Sequence, residues 1–100
     1  MYAQYSRVVT PAALTTPTPG SQLLSSSVSF SWDPGNTAKT FQLFVGTTGV
    51  GSHNLYNSGV VTATSETVSG LPTDASKVYV RLYWLINGTW STADYTYKAQ

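Results

Sequence analysis

One histidine and four carboxylates are all that this 100-residue chain offers to acid–base chemistry: His53, Asp33, Glu66, Asp74 and Asp94. General acid–base catalysis asks for a histidine with an orienting partner or for carboxylates held face to face across a substrate. His53 stands alone in the glycine-rich stretch GVGSHN. Asp33, before Pro34-Gly35, and Asp74, in PTDAS, have turn signatures, where a short carboxylate accepts a nearby backbone N–H. Nothing in the spacing brings two of the acids together, and four isolated acids are a poor calcium site. With no cysteine there is no thiol nucleophile, no thiolate metal site and no disulfide. TTGVGSHN has the glycines of a phosphate-binding loop, but neither a lysine nor a helical pattern follows it. The sequence therefore predicts no catalytic residues, no cofactor and no metal.

Charge excludes another class. Charged residues make up 9% of the chain, the net charge is +1, and the basic residues Arg7, Lys39, Lys77, Arg81 and Lys98 are scattered. Nucleic-acid binding rests on clustered Lys and Arg that displace counterions from phosphates, so no nucleic-acid partner is expected. Solubility must come from Ser, Thr, Asn and Gln, a neutral surface that suits an extracellular or particle-surface setting. No apolar run approaches the roughly 20 residues that span a bilayer, so no membrane insertion is expected. The opening MYAQYSRVVT lacks the 7–15-residue apolar stretch of a secretory signal. Three origins fit that start: an excised domain, a mature product carrying a new Met, or a protein that assembles in the cytoplasm.

The elements that carry these residues are strands. SVSFSWDPG, residues 27–35, sets Val28, Phe30 and Trp32 on one side and Ser27, Ser29 and Ser31 on the other before a turn. That is the alternation of a half-buried strand. TFQLFVG, ETVSGL, KVYVRLYWLI and TWSTADYTYKA repeat the pattern, LYNSG is long enough for a short edge strand, and no stretch shows a sustained 3.6-residue period. Asn87-Gly88 between the last two runs predicts a two-residue hairpin turn. It also begins a glycosylation sequon with Thr89, and the turn reading is preferred. The three prolines of PAALTTPTPG confine that segment to an edge or an extended lead-in. The expected fold is all-β, a seven-stranded antiparallel β-sandwich over residues 11–100, preceded by an arm over residues 1–10 that could pair with a sheet edge or a neighbour. A chain of this size needs only one core.

PTPGSQLLSSSVSFSW, TFQLFVG, TVSGLP and VYVRLYW together resemble a bacterial or phage fibronectin type III-like domain of the immunoglobulin-like class, over roughly residues 11–99. In that family a tryptophan closes the second strand, as Trp32 does, and a Leu-Pro pair marks a corner, as Leu71-Pro72 does. The family's inward tyrosine near the start of the sixth strand is replaced by Val78, with Tyr79 outward. There is no Arg-Gly-Asp, so the family's integrin-binding role does not carry over.

Alternation also sorts the faces. The predicted core is Val28, Phe30, Trp32, Phe41, Leu43, Val45, Val68, Leu71, Val78, Val80, Leu82, Trp84, Ile86, Tyr95 and Tyr97. Burying those residues leaves Gln42, Phe44, Tyr79, Arg81, Tyr83 and Leu85 outward on the other sheet. Tyr, Phe and Arg are the types enriched where proteins bind one another. Phe44, Tyr79, Arg81 and Tyr83 are therefore expected to share one exposed patch that binds a partner chain or a symmetry mate. The competing expectation for these rings is that they shield their own sheet and pack with the arm or a neighbouring strand. The function expected is a non-catalytic structural or adhesive module on a virion, a particle or a multidomain surface protein. The alternative is a carbohydrate-binding module that stacks a glycan on Trp90, Tyr83 or Tyr95.

Overall fold

The computed structural model describes residues 9–100. Along the chain lie β1 (Ala13–Thr16), β2 (Val28–Asp33), β3 (Phe41–Gly46), β4 (Tyr56–Asn57), β5 (Ser65–Val68), β6 (Lys77–Ile86) and β7 (Thr89–Lys98), and no helix occurs among the described residues. Two antiparallel sheets result, one ordered β1-β2-β5 and the other β4-β3-β6-β7. Of the expected arm, residues 1–8 lie outside the described residues. Thr10 donates its N–H to Asn36 Oδ1 at 2.8 Å, beside the turn that ends β2.

The sheets face each other across one core, and alternation put the right residues into it. In β6, Val78, Val80, Leu82 and Trp84 are buried. Cross-strand pairing sets Val80, Leu82 and Trp84 against Val45, Leu43 and Phe41 on the same face. The opposite sheet answers with Phe30, Trp32 and Val68. Phe30 meets Tyr97 edge-on at 5.6 Å between ring centroids, and Trp32 meets Phe41 at 5.9 Å. Each large apolar side chain removed from water contributes about 1.5–3 kcal/mol. Val28, Ile86 and Tyr95 are half-buried rather than buried.

Ala12, Leu14, Leu23, Ala38 and Ala99 also join the core. Leu23 is brought there by a switch of sheets. After Thr16 the chain leaves β2 and runs alongside β7, where Gly20 N–H donates to Thr96 O, Leu23 N–H donates to Lys98 O, and Lys98 N–H donates to Ser21 O. Two tyrosines of β7 hold the first strand from beneath. Tyr95 Oη accepts the Leu14 N–H at 3.1 Å, and Tyr97 Oη donates to Pro17 O at 2.8 Å. Burial beside Phe30, with Tyr95 nearby, pushes the Tyr97 phenol above its ordinary range.

The hairpin turn is as expected. Asn87 (φ 51°) and Gly88 (φ 76°) both lie in the left-handed region, and Ile86 pairs with Thr89. Asp33 accepts the Gly35 N–H at 2.8 Å and Asp74 the Ser76 N–H at 3.1 Å, so both are turn residues. The Ser76 bonds hold Asp74 below the usual carboxylate range.

Candidate functional site

Register builds the outward face of the four-stranded sheet. In β6, Tyr79, Arg81 and Tyr83 alternate with the buried valines and leucine. Across from them Phe44 pairs with Arg81, Gln42 with Tyr83, Asp94 with Arg81, Thr92 with Tyr83 and Trp90 with Leu85. Paired residues share a face. The result is a row of rings. His53 lies against Phe44 at 4.7 Å, Phe44 against Tyr83 at 4.9 Å, and Tyr83 against Trp90 at 6.2 Å with the planes perpendicular. The last two contacts are edge-on, an arrangement that suits the ring quadrupoles.

Arg81 sits beside the row. Its guanidinium grips Asp94 through Nε–Oδ1 at 2.7 Å and Nη2–Oδ2 at 3.1 Å, and its Cζ lies 5.8 Å from the Tyr83 ring centre. Asp94 first, and Tyr83 second, hold the Arg81 guanidinium further above its ordinary range. The Asp94 carboxylate is thereby neutralised locally.

Phe44, Tyr79, Arg81 and Tyr83 are half-buried, not open. The loop after β3 covers Phe44 and Arg81. Asn54 closes that loop by accepting the Thr47 N–H and donating to Thr47 Oγ1, both at 2.9 Å. The closed loop bends back so that Gly51 lies on Arg81, where a side chain would meet the guanidinium at 3.0 Å. It carries His53 onto Phe44 and leaves Val50 exposed at its tip. Tyr79 is one row removed, makes no ring contact with the others, and lies 5.5 Å from Lys77 Nζ. So Phe44, Arg81 and Tyr83 are brought together, Trp90 joins them, and Tyr79 flanks them. His53 was missed as a member because nothing local in GVGSHN says which way its loop folds. Tyr95, named for glycan stacking, points inward and its hydroxyl is committed to Leu14.

The remaining chemistry-bearing residues are engaged elsewhere. Glu66 pairs with Phe30 and so faces inward at the rim, where it accepts a short hydrogen bond from the Tyr56 hydroxyl of the other sheet. That bond, with some desolvation, pushes the Tyr56 phenol up to about 12. All four carboxylates therefore have partners: Asp33 and Asp74 in turns, Asp94 on Arg81, Glu66 on Tyr56. Among the described residues no group of three His, Cys, Asp or Glu side chains could hold a metal. At the rim of the other sheet an apolar groove of about 450 Å³ is lined by Pro17, Leu24 and Val28 with neighbouring serines, and Leu24 stands exposed beside it. Its trace in the sequence is the Leu23-Leu24 pair, of which only one member can face the core. Compared with known proteins, the chain matches no family model, no curated protein and no solved structure.

Proposed function

We propose that this chain is a non-catalytic interaction module of the fibronectin type III-like, immunoglobulin-like kind, a seven-stranded antiparallel sandwich. It binds a partner chain or a symmetry mate through the outward face of β3, β6 and β7. The strand orders β1-β2-β5 and β4-β3-β6-β7 support that architecture. The observation that carries the function is the unbroken row His53–Phe44–Tyr83–Trp90 flanked by the Arg81–Asp94 pair. Rings in edge contact beside an arginine make a rigid, amphipathic anchor of the kind that dominates binding energy. Engagement of every carboxylate by a structural partner supports a role without catalysis. The neutral, hydroxyl-rich surface supports a place on a virion or particle, or in a multidomain extracellular protein.

A glycan is the second reading, favoured by Trp90, the exposed large hydrophobic ring of the row. Light scattering with the wild type, Tyr83→Ala and Ser29→Ala, together with an array of defined glycans, separates the two. Association lost with Tyr83→Ala and kept with Ser29→Ala supports the protein-binding module. Equal behaviour of the two variants overturns it. Glycan binding that disappears with Trp90→Ala while association persists replaces it with the carbohydrate module.

A further inference from the structure

Among the described residues the four sheet edges are treated unequally. An unpaired strand edge invites another chain, and proteins blunt it with short strands, bulges, prolines, inward charges or a covering segment. β1 has four residues, a register shift between Leu14 and Thr16, and Pro17 behind it. β5 has four residues and the inward Glu66. β4 has two residues, and the segment around it covers β3. Leu55 and Ser58 N–H donate to Val45 O and Leu43 O, and Phe41 and Val61 exchange both backbone bonds. β7 is ten residues long, and only its last part is covered, by Gly20–Leu23 on Thr96 and Lys98.

Strand periodicity identifies what is left open. Thr96 and Lys98 turn their backbone groups away from β6, so Asp94, Thr92 and Trp90 do the same. Among the described residues none of these three has a backbone partner on that side. This half of β7 contains no proline, no lysine and no bulge, and it continues directly from the ring row.

We infer that the open edge Trp90–Asp94 pairs antiparallel with the same edge of a second copy, joining two four-stranded sheets into one across a two-fold axis near Thr92. The occupant is a second copy because the edge is complementary to itself. Antiparallel pairing about Thr92 sets Trp90 of each copy beside Asp94 of the other. Asp94 is the edge's one charge, and Arg81 already neutralises it, so the two edges meet without like-charge repulsion. Each Trp90 ring then lies next to the other copy's Arg81–Asp94 pair, where an indole face attracts the guanidinium. The ring rows of the two copies become continuous on one face. The pairing rests on the proposed function, for which it names the partner.

The test is sedimentation velocity on the full chain over about 1 µM to about 1 mM, a range that brackets weak and moderate association. The expected result is a reversible monomer–dimer equilibrium. Thr92→Lys places two ammonium groups together at the axis and raises the dimer dissociation constant about tenfold or more. Thr92→Pro removes an amide that bonds nothing within the sheet, and it gives a folded monomer by circular dichroism. Oxidised Thr92→Cys cross-links two chains, and Ser29→Cys on the opposite sheet does not. A wild type that stays monomeric throughout overturns the pairing, as does a dimer that survives both Thr92→Lys and Thr92→Pro. A dimer lost on deleting residues 1–8 overturns it in favour of the N-terminal segment as the occupant. A monomer that binds another protein or a glycan through Tyr83 overturns the pairing alone and leaves the proposed function standing. Dissociation by the Thr92 variants, with Tyr83→Ala changing no association, upholds the pairing and overturns the ring row as the anchor.

Discussion

On the outer face of β2 and β5 the side chains are hydroxyls bonded to one another, Ser29 to Thr67 at 2.8 Å and Ser27 to Ser69 at 3.4 Å. On the outer face of β3, β6 and β7 they are rings in contact, with an arginine locked to an aspartate. Both faces arise from the same two-residue alternation around the same core. The difference lies in what each face leaves unsatisfied. A paired hydroxyl is content in water, whereas an exposed ring keeps apolar surface that a partner can remove from it. The closed loop from Thr47 to Asn54 covers part of that surface, over Phe44 and Arg81, and leaves the Tyr83–Trp90 end uncovered. One face pairs its own polar groups, and the other keeps ring surface in water.

The largest expected effect is on the core that both faces share. Trp32 is buried between the sheets against Phe41, so Trp32→Ala is expected to destabilise by about 3–5 kcal/mol through lost transfer energy and the cavity left behind. Urea unfolding measures it, and a loss below about 1 kcal/mol would contradict the packing described. Next comes the contrast itself. Tyr83→Ala is expected to weaken association by about 1–2 kcal/mol or more, while Ser29→Ala changes it by almost nothing. Both variants keep cooperative unfolding, since neither removes a buried group. Parallel titrations of the two variants by light scattering break the comparison if their midpoints coincide.

Much of this was legible in the sequence because strand alternation is a local signal. SVSFSW and VYVRLYW fix their own inward and outward residues whatever packs on them, so Phe30, Trp32, Val80 and Leu82 could be placed in the core, and Phe44 and Tyr83 on the outside. The Asn87-Gly88 turn was equally local, since both residues tolerate positive φ. What was not legible depends on where loops go. Leu23 is buried because the chain changes sheets after Thr16, and no periodicity marks that crossing. His53 reaches Phe44 only because Asn54 and Thr47 close a loop whose ends are seven residues apart. Glu66 alternates correctly within its strand, yet its partner Tyr56 belongs to the other sheet. Pairings of this kind are tertiary, and a residue's neighbours in sequence carry no trace of them.

A smaller effect tests the rim that joins the two faces. The Tyr56 phenol must keep its proton to donate to Glu66, and its pKa is pushed up to about 12 by that bond. A group whose folded pKa is raised contributes its stability in full below the unfolded value near 10 and loses it as pH climbs through about 12. The expected outcome is an alkaline decline in unfolding free energy across that window. Tyr56→Phe is expected to cost about 1 kcal/mol at neutral pH and to make the decline shallower. Tyr97, also raised, leaves a residual slope in that variant. Denaturant titrations at stepped pH read both, and an unchanged slope in Tyr56→Phe would remove the cross-sheet bond from the account.

The smallest expected effect concerns the ion pair on the aromatic face. Arg81 and Asp94 are close and bidentate, but their side chains remain 27% and 37% exposed, so water and salt screen them. Asp94→Asn is expected to lower stability by only about 0.2–1 kcal/mol. About 1 M salt, where the screening length is about 3 Å, should erase most of that difference. The same substitution should matter more for association than for folding. It frees the charge of Arg81 on β6, beside the open edge of β7, so two copies would meet with two uncompensated cations near the axis. Stability and dimer dissociation measured on one Asp94→Asn sample, at low and high salt, separate the two roles. A stability loss well above 1 kcal/mol that salt does not touch would make the pair a structural strut, and the aromatic face would then resemble the hydroxyl face in being satisfied by itself.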